Sequence, residues 1–471
     1  MADTLLRTIH EHIEAVAGAP AGVLVHHVVA EPPVATMGDF ASNIALVAAS
    51  HFKKKPFELA QEIAEKLASD EFFAEVMVAA PGFINVRLGE SALENALGQT
   101  HHGFKKNATG KYARVEFISA NPTGPLHIGN ARGGPLGDTI ANVLAKNGYT
   151  VLREYIDNDR GNQVLEFGKS IVGTGSQYQG TYVQDLKRKV GKVGDARQAG
   201  ERAVKLMLEE IMADCRAMGI TFDCVVHESE LQKQAPAILK ELEQRKLLKK
   251  QDGAVWFSPP GGDDLKAVVQ KSDGSYLYFT ADVVYHREKF QSGYDLVVDV
   301  LGANTSGHVP KLEALTTIYG FDPEKFKILL YQFVRVKRGN EIVKMSKRAG
   351  NFVTAREVLD EVGKDAFRFF MLLHDPNTHM DFDLELAKAK TKENPVYYVQ
   401  YAAVRCKSIL KKIQKSKFKN QNSKIKIAND KERQLALAIV QLPDLIQEIG
   451  ESLTVHRLAH YALNVAGLFH L

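Results

Sequence analysis

Val115-Glu-Phe-Ile-Ser-Ala-Asn121-Pro-Thr-Gly-Pro-Leu-His127-Ile-Gly129-Asn-Ala-Arg-Gly-Gly134 passes from a β-rich segment through a proline and glycine turn into a helix-like stretch. Residues 113–118 are rich in apolar and β-branched side chains, 121–125 carry turn chemistry, and Leu136, Ile140, Val143 and Leu144 recur at helical spacing. A strand, turn and helix in this order suit a nucleotide. The helix start presents unpaired N–H groups and a partial positive charge to phosphate oxygens. Gly129, lacking a Cβ, lets an adenine ring approach the backbone, and His127 is placed to bond a phosphate oxygen whose charge grows under attack. An ordinary strand-to-helix turn with an incidental histidine fits the same text and is the stronger reading of a His-x-Gly triplet taken alone.

A second motif bears on the choice. Glu341-Ile-Val-Lys344-Met345-Ser346-Lys347-Arg348-Ala-Gly350 is a compact basic loop, with Gly339 and Gly350 as candidate hinges. Two ammonium groups three residues apart suit a polyphosphate leaving group, although a lysine-rich loop taken alone is usually just solvated.

The His-Ile-Gly-Asn turn followed far downstream by Lys-Met-Ser-Lys resembles the signature pair of class I aminoacyl-tRNA synthetases. The flanking text narrows the resemblance. Ser119-Ala-Asn121-Pro-Thr-Gly-Pro-Leu-His127, Arg153-Glu-Tyr155-Ile-Asp157-Asn158-Asp159-Arg-Gly161-Asn-Gln163, Ser272-Asp273-Gly274-Ser-Tyr-Leu-Tyr278-Phe-Thr-Ala-Asp282 and Asn394-Pro-Val-Tyr-Tyr-Val-Gln400-Tyr401-Ala together resemble arginyl-tRNA synthetases. The likeness covers almost the whole chain, from Gly38-Asp39-Phe40-Ala-Ser42-Asn43 onward.

Composition is compatible with this reading. The 471 residues leave room for about three domains with large cores. A net charge of +4 permits a nucleic-acid partner without identifying one. Lys411, Lys412, Lys415, Lys417, Lys419, Lys424 and Lys426 form a basic stretch without an intervening acid, read first as a solvated linker and second as an RNA backbone contact. Three cysteines, Cys215, Cys224 and Cys406, are too widely spaced for a disulfide framework or a zinc knuckle. No zinc or other resident metal is expected. The start lacks a signal peptide's apolar stretch and no span reaches bilayer length, so a cytoplasmic location without membrane contact is expected.

The fold expected is α/β. Residues 1–105 read as an N-terminal mixed α/β unit, with amphipathic helices marked by Leu5, Ile9, Ile13 and by Leu59, Ile63, Leu67, and strand and turn over 76–86. Residues 111–385 alternate strands and helices as a Rossmann-type doubly wound parallel sheet requires, with an insertion at about 165–265. Within it, 296–301 is suited to a central strand and 328–336 to another. Residues 390–471 read as an all-α domain. The resemblance implies that this is an anticodon-binding domain with more helices beyond Leu471, so it is expected to be incomplete.

What the resemblance implies for chemistry is specific. ATP would be a substrate, accompanied by Mg²⁺, and L-arginine would be joined to it as an adenylate before transfer to tRNA(Arg). His127, Gly129, Asn130, Met345, Ser346 and Lys347 would contact ATP, with Lys344 and Lys347 stabilising departing pyrophosphate. Arginine would be held by Tyr278 and Asp282, one helical turn apart, and by Ser119 and Asn121, with Glu116 as a weaker second acid and Thr305 as a further contact. Read without the resemblance, Asp282 is better explained as a helix cap or surface carboxylate, and Tyr278 as a core aromatic. Phe40 and Asn43 would meet tRNA from the N-terminal unit, and Tyr398, Gln400 and Arg405 from the helical one. A monomer is expected.

Two positions depart from the family pattern. Asn130 stands where a second histidine is usual, and Asn304-Thr305 where an Asp-His pair is usual; His308 is a nearby group that either compensates or only packs. These departures leave a noncatalytic tRNA-binding remnant as the rival reading.

Overall fold

The computed structural model describes residues 4–101, 108–339, 341–343, 353–415 and 426–471, which fall into two compact units. The first comprises Met1–Asn107, Val399–Glu451 and Tyr461–Leu471. Its strands β1 (Val29–Ala30), β2 (Phe40–Ser42), β3 (Phe73–Ala79) and β4 (Phe83–Leu88) form an antiparallel sheet in the order β1-β2-β4-β3. The helix Leu5–Ala17 buries Leu5, Ile9, Ile13 and Ala17, the stripe that its period dictates. Thr4 accepts from the Arg7 N–H at its start, and Gly18 closes it in the left-handed conformation. Pro56–Leu67 adds Leu59, Ile63 and Leu67 to the same core, where each such side chain contributes about 1.5–3 kcal/mol. Ala436 and Val440 from the helix Asp430–Val440 join that core as well. Residues 1–105 and part of the C-terminal helical region therefore share one hydrophobic interior.

The second unit comprises Ala108–Tyr398 and Ser452–His460. Strands β5 (Tyr112–Phe117), β6 (Thr150–Asp157) and β7 (Cys224–His227) precede an antiparallel sheet of β8 (Leu248–Gln251), β9 (Ala254–Phe257) and β10 (Ala267–Gln270). Strands β11 (Leu296–Gly302) and β12 (Phe326–Tyr331) then complete a parallel sheet in the order β12-β11-β5-β6-β7. From the central β5, the chain builds first to one side and later to the other. The crevice at the carboxyl ends of β5 and β11 is consequently the topological switch point, where open α/β sheets bind ligands.

Between β6 and β7, the helices Asn162–Val172 and Ala196–Ala217 cross with backbones almost touching. A Cβ at Gly168 would lie 1.7 Å from the Ala196 carbonyl oxygen, and one at Gly200 2.2 Å from that of Val164. Glycine is what permits that approach.

One strand expectation is corrected. The apolar run 328–336 is not a single strand: β12 ends at Tyr331, and β13 (Val334–Arg338) belongs to a separate sheet with β14 (Glu341–Ile342) and β15 (Met380–Asp383). The break is made at Gln332, whose N–H donates to the Pro376 carbonyl and whose carbonyl accepts from Arg132, while Phe333 turns outward at 57 % exposure.

Candidate active site

The register of the parallel sheet places Glu116 of β5 beside Asp299 of β11. Lys289, fully buried on the helix Tyr278–Gln291, donates to Glu116 Oε2 at 2.6 Å and to Asp299 Oδ1 at 2.7 Å. The same helix carries His286, which joins Asp299 Oδ2 at 3.0 Å through Nε2 and the Asp282 carbonyl at 2.8 Å through Nδ1. Burial opposes ionisation of Asp299 most strongly, yet Lys289 and His286 outweigh it and hold that carboxyl well below its usual range. This charged layer fixes one face of the helix, and Asp282 sits at its edge.

Asp282 differs from its neighbours. It is half-buried, and among the described residues no hydrogen bond reaches its carboxylate. Burial pushes its pKa up to about 7; His286 and Lys289 pull it down while Glu116 and Glu228 push it further up. Tyr278, one turn earlier, is 56 % exposed rather than a core aromatic, and its hydroxyl lies 3.1 Å from His308 Nε2. His308 thus makes a polar contact and does not merely pack.

Glu116 is corrected as a second acid for a guanidinium, because Lys289 neutralises it and the Ser119 hydroxyl donates to its Oε1 at 2.9 Å. Glu228 is another acid near Asp282, which sequence reasoning passed over. It is buried at the carboxyl end of β7, bonded only to the Gln232 side-chain amide at 2.7 Å among the described residues, and its pKa is raised, chiefly by burial. Its signal was available: an acid directly after Cys-Val-Val-His, where a parallel strand meets the binding crevice.

Where β5 ends, the backbone is strained. Ile118 and Ser119 adopt φ of 68° and 40°, and such conformations cost on the order of 1–3 kcal/mol each. The bend lets the Ser119 hydroxyl accept from the Ile156 N–H at 3.2 Å while donating to Glu116. Asn121 continues the polar wall, accepting from the Asn158 amide and donating to Gln163 Oε1 at 2.8 Å.

His127 caps the helix Ile128–Ala131, its Nδ1 accepting from the Gly129 N–H at 2.9 Å. In the neutral ring that bond assigns the proton to Nε2, the donor that a phosphate oxygen requires. A Cβ on Gly129 would lie 3.1 Å from His127 Nδ1, so the glycine leaves room for the histidine's orientation. The Asn130 carbonyl accepts from the Tyr331 hydroxyl at 3.3 Å. Arg132, also missed, is wholly buried and donates to the carbonyls of Gln332, Thr378 and Asp375; desolvation pulls its pKa down to about 10.

Lys344, Met345, Ser346 and Lys347 lie outside the described residues. The chain on their far side is placed, however. Thr354 bridges His127, the Ile128 N–H donates to the Val353 carbonyl at 3.1 Å, and the Ala355 N–H donates to that of Leu126 at 2.8 Å.

Other expected contacts are placed differently. Thr305 turns its hydroxyl to the Gly302 carbonyl at 2.7 Å. Phe40 is 1 % exposed in the core of the first unit, which removes its ring from RNA. Asn43 ties a loop, accepting from the Val28 N–H at 2.7 Å and donating to the His26 carbonyl at 3.1 Å. Gln400 and Arg405 are exposed on the helix Pro395–Lys415 and Tyr398 is half-buried; Arg405 reaches His470 Nδ1 at 2.9 Å. Cys215 packs in the core, burial pushing its thiol up to about 12.

A parallel sheet whose switch point carries a His-x-Gly helix start, bridged through His127 to Thr354, points to a class I aminoacyl-tRNA synthetase, and the class I (R) catalytic-domain family matches residues 182–412. The arginyl-tRNA synthetase N-terminal domain family matches residues 3–88 and the DALR anticodon-binding domain family 399–471. The arginine--tRNA ligase of Desulfitobacterium hafniense is 38% identical over 95% of this chain and 86% of its own length; that of Shouchella clausii is 38% identical over 92% and 84%. The chain belongs to the arginyl-tRNA synthetase family. The solved Thermus thermophilus arginyl-tRNA synthetase shares the fold, with a TM-score of 0.78 at 24% identity over 99% of this chain and 91% of that one. A Mycobacterium tuberculosis methionyl-tRNA synthetase is more distant, with a TM-score of 0.56 at 13% identity over 76% and 82%.

Proposed function

We propose that the chain is an arginine–tRNA ligase, joining L-arginine to ATP as arginyl-adenylate with release of diphosphate and then esterifying tRNA(Arg). The observation that carries this reading is Asp282, a carboxylate without a hydrogen-bond partner among the described residues, flanked by Tyr278 and Glu228 at the switch-point crevice. A guanidinium is planar, permanently cationic and rich in donors, so paired acids beside a phenol suit it. The carboxylate of bound arginine would attack the α-phosphate in line. No covalent protein nucleophile is needed; positioning and charge stabilisation supply the acceleration. His127 Nε2–H would donate to a phosphate oxygen, Gly129, Asn130, Met345 and Ser346 would border the nucleotide, and Lys344 and Lys347 would receive the charge on diphosphate. Mg²⁺ would arrive with ATP as part of the substrate.

Ser119 and Asn121 would orient the amino acid, and Thr305 would act only through its backbone turn. Gln400 and Arg405 offer exposed polar groups to tRNA. No helix among the described residues is long and apolar enough to cross a membrane, and we take the enzyme to work in the cytoplasm as a monomer. Arginine-dependent pyrophosphate exchange, measured with and without tRNA(Arg), tests the proposal. Exchange driven by another amino acid would overturn it, and no exchange in either arm would favour a tRNA-binding remnant.

A further inference from the structure

We propose that His10, Glu14 and His27 form a site for one divalent transition-metal ion of the zinc class. The site lies in the first compact unit and takes no part in the activity proposed above. His10 and Glu14 stand one turn apart on the helix Leu5–Ala17, which puts both on one face. His27 follows the short helix Leu24–His26, and its side chain is wholly buried. The three ligand atoms converge: His10 Nδ1 to His27 Nδ1 is 3.1 Å, His27 Nδ1 to Glu14 Oε1 is 2.8 Å, and His10 Nδ1 to Glu14 Oε1 is 3.8 Å. Tetrahedral bonds of about 2.0–2.1 Å separate ligand atoms by about 3.3 Å, within that range.

The remaining contacts favour the same reading. His27 Nε2 lies 2.9 Å from the Ser42 hydroxyl, which also accepts from the Ile44 N–H at 3.2 Å. A hydroxyl can accept from Nε2–H and so leave Nδ1 its lone pair for a metal, the outer contact that metal-bound histidines usually have. A single N–H on His27 Nδ1 can point at only one of its two neighbours, Glu14 or His10, whereas a cation at the centre satisfies all three. An imidazole binds a metal ion through the lone pair of its neutral ring. Two neutral nitrogens and one carboxylate are a borderline donor set suited to zinc or cobalt rather than calcium or magnesium. His10 and Glu14 are half-exposed, so water would take the fourth position. The ion would link the first helix to the loop that Ser42 and Asn43 hold, adding to the stability of this α/β layer.

Cobalt(II) titration of the full chain, stripped with chelator and free of nucleotide, tests this. We expect one equivalent bound with the visible absorption of four-coordinate cobalt, and a rise in melting temperature on adding zinc. His10→Ala and Glu14→Gln alter half-exposed side chains, leave His27 in the core, and should each weaken binding more than about tenfold and abolish the zinc-induced rise. Asp157, Asp159 and His227 are the other convergent group among the described residues, and His227→Ala should leave the absorption unchanged. Absence of the four-coordinate band in the wild-type chain, its survival in both ligand variants, or its loss only in His227→Ala would overturn the proposal.

Discussion

Thr354 is bridged backbone to backbone with His127, so the residue that caps the nucleotide helix is held against the segment that follows the lysine loop. Thr354 also caps its own helix, Ala355–Val362, in a reciprocal box with Glu357. One bond of the tether can be removed selectively. Ala355 is the first residue of that helix, where proline is tolerated, and Thr354 already has the extended conformation that precedes proline. Ala355→Pro therefore deletes the N–H that reaches the Leu126 carbonyl. A net bond worth about 1 kcal/mol corresponds to roughly fivefold slower adenylate formation. Pyrophosphate exchange should show that loss in kcat, with arginine binding measured by calorimetry unchanged; a loss confined to arginine affinity would refute the tether's role.

If Asp282 holds arginine as proposed, recognition is pH-dependent. Its pKa of about 7 in the folded protein lies above its unfolded value, so ionising it costs stability as pH rises toward 7, and a bound guanidinium offsets that cost. Binding below pH 7 must expel a proton. The dissociation constant for arginine should therefore be about tenfold weaker at pH 6 than at pH 8, with proton release detectable by calorimetry in buffers of different ionisation enthalpy. Asp282→Asn should lose both the affinity and the pH dependence while still binding ATP. Retention of the full pH profile in Asp282→Asn would transfer the effect to another group, with Glu228 the next to examine.

Lys289 tests the layer beneath. Its burial disfavours the charge, but Asp299, Glu116 and Glu154 together raise its pKa, so it is an ammonium locked between carboxylates. Lys289→Met leaves Glu116 and Asp299 facing each other without their cation, and breaking such buried pairs costs about 3–5 kcal/mol. Urea unfolding should register that loss. Because Lys289 also pulls the Asp282 pKa down, the midpoint of the arginine pH profile should move upward in the variant. A destabilised protein with an unmoved midpoint would separate the two roles.

The parts of this site that sequence disclosed are those whose chemistry is local. His127 and Gly129 are two residues apart, Tyr278 and Asp282 one helical turn apart, and such spacings survive translation into one dimension. Glu116 was visible but misread, because the lysine that neutralises it comes from a helix remote in sequence and only the sheet register brings Asp299 alongside. Arg132 was silent for the same reason, since three carbonyls on distant loops give it its meaning, whereas Glu228 was passed over although its position directly after a strand could be read. The break at Gln332 escaped because apolar residues resume directly after it, whereas the hydrogen bonds that end the strand are tertiary. Phe40 shows the opposite error, since an aromatic in a recognisable motif looks like a ligand contact until burial shows it packing.

Asp39, which belongs to that same motif, anchors the first unit internally. Its carboxylate accepts from the Leu88 N–H at 2.8 Å and forms an ion pair with Arg433, which also donates to the Leu88 carbonyl at 2.7 Å. Arg433 lies on the helix Asp430–Val440, so the pair clamps N-terminal sheet to C-terminal helix. Asp39→Asn retains an acceptor for Leu88 but leaves the buried guanidinium without its anion, a change that should cost about 3–5 kcal/mol. Removing both charges is a different matter. In Asp39→Asn/Arg433→Met the methionine fills the volume without needing a counter-ion, and most of the lost stability should return. Chemical denaturation of the single and double variants measures the recovery, and a double variant no more stable than Asp39→Asn would show that geometry rather than charge holds this joint.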